Sequence, residues 1–252
     1  MTGVQTCALP ICIRFDLRGT KNLPRTGGGV MCLNHIGYLD FTYAGLAARE
    51  AGRLVRFMAK DEVFRHRISG PLMRGMHHIP VDRDAGAGSY RAAVQALRAG
   101  EIVGVFPEAT ISRSFELKDF KAGAVRMAQE AGVPVLPTVV WGSQRVWTKG
   151  LPKRLGRTRA AVSVWVGEPV HAAPDEDTAV VTEAVRAQMT TMLRDVQESY
   201  PDQPSGPGDS WWQPTRLGGS APTPDEAAQL DRDERRARIA QAKAARDRDR
   251  AR

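Results

Sequence analysis

The residues with the clearest capacity for chemistry are a histidine and an aspartate in the run N-H-I-G-Y-L-D, His35 and Asp40. A histidine acts as a base near neutral pH when a carboxylate holds its second ring nitrogen and fixes the tautomer. On a regular helix the two side chains would lie roughly 140° apart. The pair therefore requires His35 to precede the helix and the chain to bend near Gly37. The alternative is that Asp40 only caps the helix and His35 is an ordinary loop residue.

Charged residues follow two further apolar runs. Lys60 follows V-R-F-M-A, and Asp82 and Arg83 follow H-I-P-V. An arginine offers paired donors to a phosphate and a lysine offers a point charge, so Lys60 and Arg83 together would hold a phosphate group. The alternative is that both are surface charges.

A third polar segment, V-F-P-E-A-T-I-S, runs from Val105 to Ser112 and predicts a strand that enters a turn. Glu108 and Thr110 would contact a hydroxylated substrate there. The backbone N–H groups of the turn would bind an anion. Taken alone, the segment is also explained by a strand followed by an ordinary Asx or ST turn.

Short β-branched apolar runs alternate with helical stretches from Gly28 onward. The predicted strands are 30–34, 55–59, 78–82, 101–107, 133–141 and 161–167, and the predicted helices are 40–50, 61–75, 88–99, 121–131 and 175–199. We expect Val181, Val185, Gln188, Met192 and Val196 to form the apolar stripe of the last helix. The alternation predicts a single α/β domain with a largely parallel, mixed central sheet flanked by helices. The polar segments would then meet at the carboxyl edge of the sheet, where ligands bind.

The chain divides into three parts by composition. Residues 1–12 contain M-T-G-V-Q-T-C-A-L-P-I, which resembles the translation of a sequencing-library adapter. We therefore expect the native start, with any anchoring helix, to lie upstream. Residues 13–200 form the predicted domain, and residues 201–252 are a Pro/Gly linker and a charged tail that we expect to be disordered or at most weakly helical.

The charge of the chain favours an anionic partner. Lysines and arginines number 36 against 28 acidic residues, a formal net charge of +8. The excess of positive charge is concentrated in residues 113–159, which contain ten basic and three acidic residues. Lipid headgroups or nucleic acid would suit such a surface. Three cysteines without ligand spacing exclude a zinc finger, and we expect no metal or cofactor.

Four blocks in this order, N-H-x-x-x-x-D, K-x-E with a later V-D-R, F-P-E-x-T-x-S and V-P-V-L-P, resemble the glycerolipid acyltransferase family. The resemblance covers residues 19–142 by motif. It implies the glycerol-3-phosphate acyltransferase type of fold and transfer of an acyl group from acyl-CoA or acyl carrier protein to 1-acylglycerol-3-phosphate (lysophosphatidic acid), which gives phosphatidic acid.

The resemblance also implies roles for individual residues. His35 would be the general base and Asp40 its orienting partner, and Asn34 would orient the loop and help to bind substrate. Arg83, with Lys60, would bind the phosphate, whereas Glu108 and Thr110 would position the acceptor. Residues 134–137 would shape the acyl-chain side.

The third block departs from the common F-P-E-G-T-R-S, because Ala109 replaces the glycine and Ile111 the arginine. Arg113 is the candidate substitute for the missing cation. Another lysolipid, a glycolipid or an aminolipid therefore stays an alternative acceptor, and a basic membrane-surface or nucleic-acid-binding protein is the non-enzymatic alternative. With the acyltransferase interpretation we expect peripheral binding to the anionic, cytoplasmic face of the membrane and no nucleic-acid partner.

Overall fold

The computed structural model describes residues 7–8, 13–82, 86–156, 159–206 and 208–250. The chain forms two compact units. The first comprises residues 1–111 and 117–203, and the second comprises residues 112–116 and 204–252.

The first unit is built on an eight-stranded sheet in the order β1-β2-β8-β7-β3-β6-β4-β5. The strands are β1 (Cys7–Ala8), β2 (Ile13–Arg18), β3 (Gly29–Leu33), β4 (Val55–Lys60), β5 (Ile79–Val81), β6 (Ile102–Val105), β7 (Val135–Trp141) and β8 (Ala161–Val166). The five strands β3 to β7 are mutually parallel. β8 runs antiparallel to β7 and parallel to β2. The predicted fold class, a largely parallel mixed sheet, is confirmed.

Helices form the crossover connections between the parallel strands. These helices are α1 (Asp40–Glu50), α2 (Asp61–Arg65), α3 (Ser69–Gly75), α4 (Gly86–Arg98) and α5 (Gly123–Ala131), and a further helix, α6 (Thr178–Glu198), follows β8. Within the described residues, no helix combines the length and the apolar character needed to cross a bilayer.

The structure corrects three details of the predicted elements. Strand β2 was not expected; its side chains alternate between buried and exposed, as on a sheet with one covered face. The single helix expected over 61–75 is interrupted at residues 66–68. On α6, Met189 and Leu193 are buried in place of Gln188 and Met192, because the stripe moves by one position along the helix.

The second unit contains a helix where a disordered tail was expected. This helix, α7 (Pro224–Arg250), begins with a capping box in which the Thr223 backbone N–H donates to Glu226 Oε2 at 2.8 Å and the Glu226 N–H donates to Thr223 Oγ1 at 3.3 Å. Proline suits the first helical position, where no N–H is needed. Trp212 is also buried. Capping and local burial thus order residues that composition alone predicts to be disordered.

The sheet has no space for a side chain at Gly104 of β6. A Cβ atom there would lie 2.4 Å from ring carbons of Phe57 and 2.9 Å from Val55 Cγ1. We expect Gly104→Ala to lower the free energy of unfolding by about 1–3 kcal/mol through overpacking. The matched control is Gly45→Ala in α1, where nothing lies within 4 Å of the added methyl group. Helix propensity predicts that this change is stabilising by about 0.5–1 kcal/mol. Urea unfolding measures both, and equal effects would contradict the packing account.

Candidate active site

Asn34 continues the pairing of β3 and β7 beyond the end of β3. Its amide Nδ2 donates to the Val140 carbonyl at 2.9 Å, and its Oδ1 accepts from the Val140 N–H at 2.7 Å. The side chain is fully buried. These hydrogen bonds connect the start of the loop that follows β3 to β7, and a side chain enclosed in this way does not offer the substrate contact that was expected of Asn34.

His35 and Asp40 form a hydrogen-bonded pair. The Nδ1 atom of His35 lies 3.0 Å from Oδ2 of Asp40. Helix α1 begins at Asp40, and His35 stands before it. The chain bends over residues 36–39, so the angular separation that a continuous helix would impose does not arise.

The Asp40 carboxylate accepts hydrogen bonds from several parts of the chain. The backbone N–H groups of Ile36 and Gly37 each donate to Oδ2 at 2.8 Å, and the Ser143 hydroxyl donates to Oδ1. An ionised carboxylate only accepts, so His35 Nδ1 carries the hydrogen in this pair. In the neutral ring Nε2 then keeps its lone pair, which makes it the nitrogen that can take a proton.

The bend between His35 and Asp40 requires a glycine. A Cβ atom on Gly37 would lie 2.9 Å from Ser143 Oγ and 3.1 Å from both Asp40 Oδ1 and the Trp147 carbonyl oxygen. Two hydrogen bonds connect the same bend to residues that follow β7. The Tyr38 N–H donates to the Trp147 carbonyl at 3.0 Å, and the Thr148 hydroxyl donates to the Ile36 carbonyl at 2.6 Å. The position of His35 relative to Asp40 thus depends on Trp147 and Thr148.

Aromatic packing fixes the plane of the imidazole. The His35 ring stacks on Phe106, with ring centroids 4.1 Å apart, and Phe106 in turn stacks on Phe57 at 6.1 Å. The His35 side chain is 20% exposed. The ring is therefore confined on one face by β6 and β4 and remains accessible to a substrate.

Glu108 connects the loop after β6 to the loop after β3. Its Oε1 accepts from the His35 backbone N–H at 2.8 Å, and its Oε2 accepts from the Lys118 backbone N–H at 3.1 Å. Burial raises the pKa of this carboxyl to about 8, although the two N–H donors and the Lys118 charge oppose the shift. Glu108 was predicted to position the acceptor; in the structure its carboxyl holds the backbone at His35.

The turn after Glu108 contains both departures from the common third block. Ala109 has φ 62°, a left-handed conformation in which glycine is unstrained. Beside Ile111, the Lys118 ammonium donates to Thr110 Oγ1 at 2.7 Å. Lys118 thus brings a cation to this turn. Arg113, the expected substitute, pairs instead with Asp231 and Glu234 of the second unit.

The remaining predicted residues lie as follows. Lys60 is exposed at the carboxyl end of β4, in register with Val81 of β5, whereas Arg83 lies outside the described residues. Residues 134–137 lie at the amino-terminal end of the buried strand β7. Val135 pairs in parallel with Val30, near the start of β3, so these residues are at the amino edge of the sheet. That edge is opposite His35, which corrects their expected place on the acyl-chain side of the site.

Sequence reasoning missed Ser143, Phe106 and Lys118 as parts of the site. Ser143 follows the carboxyl end of β7, so its position beyond a parallel strand was the available signal. Phe106 is the first residue of the third block and Lys118 follows the block, but nothing in their spacing identifies a ring partner for His35 or a cation beside Thr110.

Because burial raises the Glu108 pKa, the stability of the protein should depend on pH in a defined direction. The folded state keeps the proton to about pH 8, whereas the unfolded state releases it near the ordinary value of 4.5. Folding therefore favours the protonated form, and the free energy of unfolding should fall as the pH rises through this window. Urea unfolding across the window should show a weaker decline for Glu108→Gln, which cannot ionise. An unchanged slope would contradict the assignment.

Comparison with known proteins identifies the family of the chain. The family model described as Acyltransferase matches residues 14–141. The chain is 30% identical over 199 residues to the 1-acyl-sn-glycerol-3-phosphate acyltransferase of Bacillus subtilis, with 73% of this chain and 93% of that protein covered. It is 24% identical over 191 residues to the enzyme of the same name from Borreliella burgdorferi, with 73% and 70% covered.

A solved structure has the same fold. The crystal structure of the 1-acyl-sn-glycerophosphate acyltransferase from Thermotoga maritima matches with a TM-score of 0.62 and 22% identity, over 75% of this chain and 74% of that one. The family model and the Bacillus subtilis relative show the family, and the solved structure shows the fold. The chain belongs to the acyltransferase family and is an acyltransferase.

Proposed function

We propose that this enzyme transfers a fatty acyl group from the thioester of acyl-CoA or acyl carrier protein to the free hydroxyl of 1-acylglycerol-3-phosphate, with phosphatidic acid as the product. The observation that carries the proposal is the 3.0 Å contact between His35 Nδ1 and Asp40 Oδ2, which leaves Nε2 as a base on an accessible ring. The names of the related proteins support the choice of acceptor.

The chemistry requires one base and no covalent enzyme intermediate. His35 Nε2 takes the proton of the acceptor hydroxyl while the hydroxyl oxygen attacks the thioester carbonyl carbon. The carbon–sulfur bond breaks, and the departing thiolate takes the proton from the imidazolium. Asp40 stabilises that imidazolium, because its buried carboxylate is held beside Nδ1 throughout.

The acceptor would be held by charged groups at the carboxyl edge of the sheet. We propose that Arg83, with Lys60, binds the phosphate, because Lys60 ends β4 and Arg83 comes two positions after the adjacent strand β5 in the sequence. Thr110 and the neighbouring Lys118 ammonium, 2.7 Å apart, offer a hydroxyl and a third cation on the side of β6. Since the product is insoluble in water, the enzyme would act as a peripheral protein at the cytoplasmic face of the membrane.

The role of Asp40 is tested by Asp40→Asn, which preserves the shape of the side chain and removes its charge. We expect kcat to fall by about 10²- to 10⁴-fold while KM changes little, because the charge acts on the imidazolium formed in the reaction. His35→Ala should lose at least as much activity. Circular dichroism should show intact folds for both. Wild-type turnover by folded His35→Ala protein would remove the proposed mechanism.

The choice of acceptor is tested by supplying the purified enzyme with one acyl-CoA and a panel of acceptors. We expect 1-acylglycerol-3-phosphate to give a kcat/KM well above that of monoacylglycerol, because two or more cations contact the phosphate. An acyl carrier protein thioester in place of acyl-CoA identifies the donor. Equal or better use of a glycolipid, an aminolipid or monoacylglycerol would contradict the proposed acceptor and leave the base chemistry intact.

A further inference from the structure

The segment after β7 combines side chains of three kinds that suit a lipid–water boundary. Residues 147–155, W-T-K-G-L-P-K-R-L, contain three basic residues and no acidic one. Leu151 and Leu155 are 40% and 51% exposed, and Tyr38 in the catalytic loop is 42% exposed. We call Tyr38 together with residues 147–155 the Trp147 surface.

The aromatic and cationic groups of the Trp147 surface are arranged together. The rings of Tyr38 and Trp147 lie 4.7 Å apart, and the Lys153 ammonium lies 4.1 Å from the centre of the Trp147 ring. Tryptophan and tyrosine are enriched where one end of a side chain is apolar and the other is wet, as at membrane interfaces. Lysine and arginine at such a boundary attract anionic headgroups.

The Trp147 surface is attached directly to the catalytic loop. The Tyr38 N–H donates to the Trp147 carbonyl, and the Thr148 hydroxyl donates to the Ile36 carbonyl. Tyr38 and Ile36 belong to the same bend that presents His35 to Asp40. A lipid bilayer in contact with this surface would therefore lie beside the base that receives the acceptor hydroxyl.

We propose that the Trp147 surface is the face through which the protein docks on an anionic bilayer. This inference rests on the proposed function, which requires a membrane-embedded acceptor and product. Leu151 and Leu155 enter the apolar boundary, and Trp147 with Tyr38 lies at the level of the headgroups. Lys149, Lys153 and Arg154 bind the anionic lipids.

The chain offers a second apolar surface, on α2 and α3, that fits a bilayer less well. Ile68 and Leu72 are 81% and 60% exposed there. However, Asp61 and Glu62 lie in the same segment, the Arg65 guanidinium pairs with Asp61, and the aromatic Phe64 is buried. Unlike the Trp147 surface, this segment mixes acidic with basic residues and buries its phenylalanine ring, so it serves as the internal control.

The charge contribution is tested by sedimentation with vesicles of phosphatidylcholine, with or without phosphatidylglycerol. Each cation beside an anionic surface strengthens binding about five-fold at low salt, so replacing Lys149, Lys153 and Arg154 by Gln should weaken binding to the anionic vesicles by about 100-fold. The control replaces the exposed residues Arg49, Arg91 and Arg194 by Gln, which gives the same change in net charge. Equal losses in the two variants would overturn the proposal.

The apolar contribution is tested by Leu151→Glu with Leu155→Glu, compared with Ile68→Glu and Leu72→Glu. Only the first pair should abolish binding to the anionic vesicles. Loss in the second pair alone would move the docking face to α2 and α3 and overturn the proposal. So would tighter binding of the wild type to a single-stranded oligonucleotide than to the vesicles.

An activity assay separates this inference from the proposed function. With a short-chain 1-acylglycerol-3-phosphate dissolved as monomers, all the surface variants should retain wild-type kcat, whereas turnover of vesicle-embedded acceptor should fall with vesicle binding. If the wild type binds vesicles through the Trp147 surface yet acylates neither form, the proposed function fails and the docking face stands. Wild-type turnover of vesicle-embedded acceptor by the Leu151/Leu155 variant would contradict the docking face alone.

Discussion

The site depends on one buried carboxylate. Asp40 stands at the first position of α1 and accepts hydrogen bonds from Ile36, Gly37, His35 and Ser143. A buried charge is tolerable when donors surround it, and a helix amino terminus adds favourable partial charge. This arrangement joins the end of β3, the start of α1 and the turn after β7. Each of these segments must be in place before His35 has a defined tautomer and direction.

The parallel sheet supplies those segments because its carboxyl ends meet at one edge. Asn34 extends the β3–β7 ladder by one side-chain amide, so the loop containing His35 starts from a rigid point. Glu108, after the neighbouring strand β6, accepts the His35 backbone N–H. The loop that contains His35, the proposed base, is thus hydrogen-bonded to segments of both strands next to β3. Precision of this kind is what general base catalysis requires, since small displacements of a reacting group cost large factors in rate.

Local sequence patterns were sufficient to predict the strands and helices that have clear apolar runs or clear polar boundaries. The buried strands β3 and β7 and the helix starting at Asp40 were predicted because their apolar runs, or their polar boundaries, are strong. Strand β2 was missed because charged residues alternate with its apolar ones. For α7, the composition of the tail predicted a mobile or at most weakly helical segment, because the T-x-x-E capping pattern at Thr223 was not taken into account.

The chemistry of the site was less predictable than the fold, for a physical reason. His35 and Asp40 are near neighbours, so their pairing could be expected from sequence, but Ser143 reaches Asp40 across 103 positions of chain. The motif gave the residue type at position 108 but not the hydrogen bond of Glu108 to the His35 backbone, because a motif does not specify the partners of a residue. Lys118 likewise contacts Thr110 across eight positions of chain, and no local pattern predicts that contact.

The central claim is that Asp40 holds His35 with the proton on Nδ1 and a free lone pair on Nε2. Long-range ¹⁵N–¹H spectra of protein labelled at the histidine rings distinguish the protonated from the unprotonated nitrogen of each ring, and His35→Ala identifies the His35 signals. At neutral pH the account predicts that the neutral His35 ring carries its proton on Nδ1. A ring that is protonated on Nε2, or that exchanges freely between the two tautomers, would contradict it.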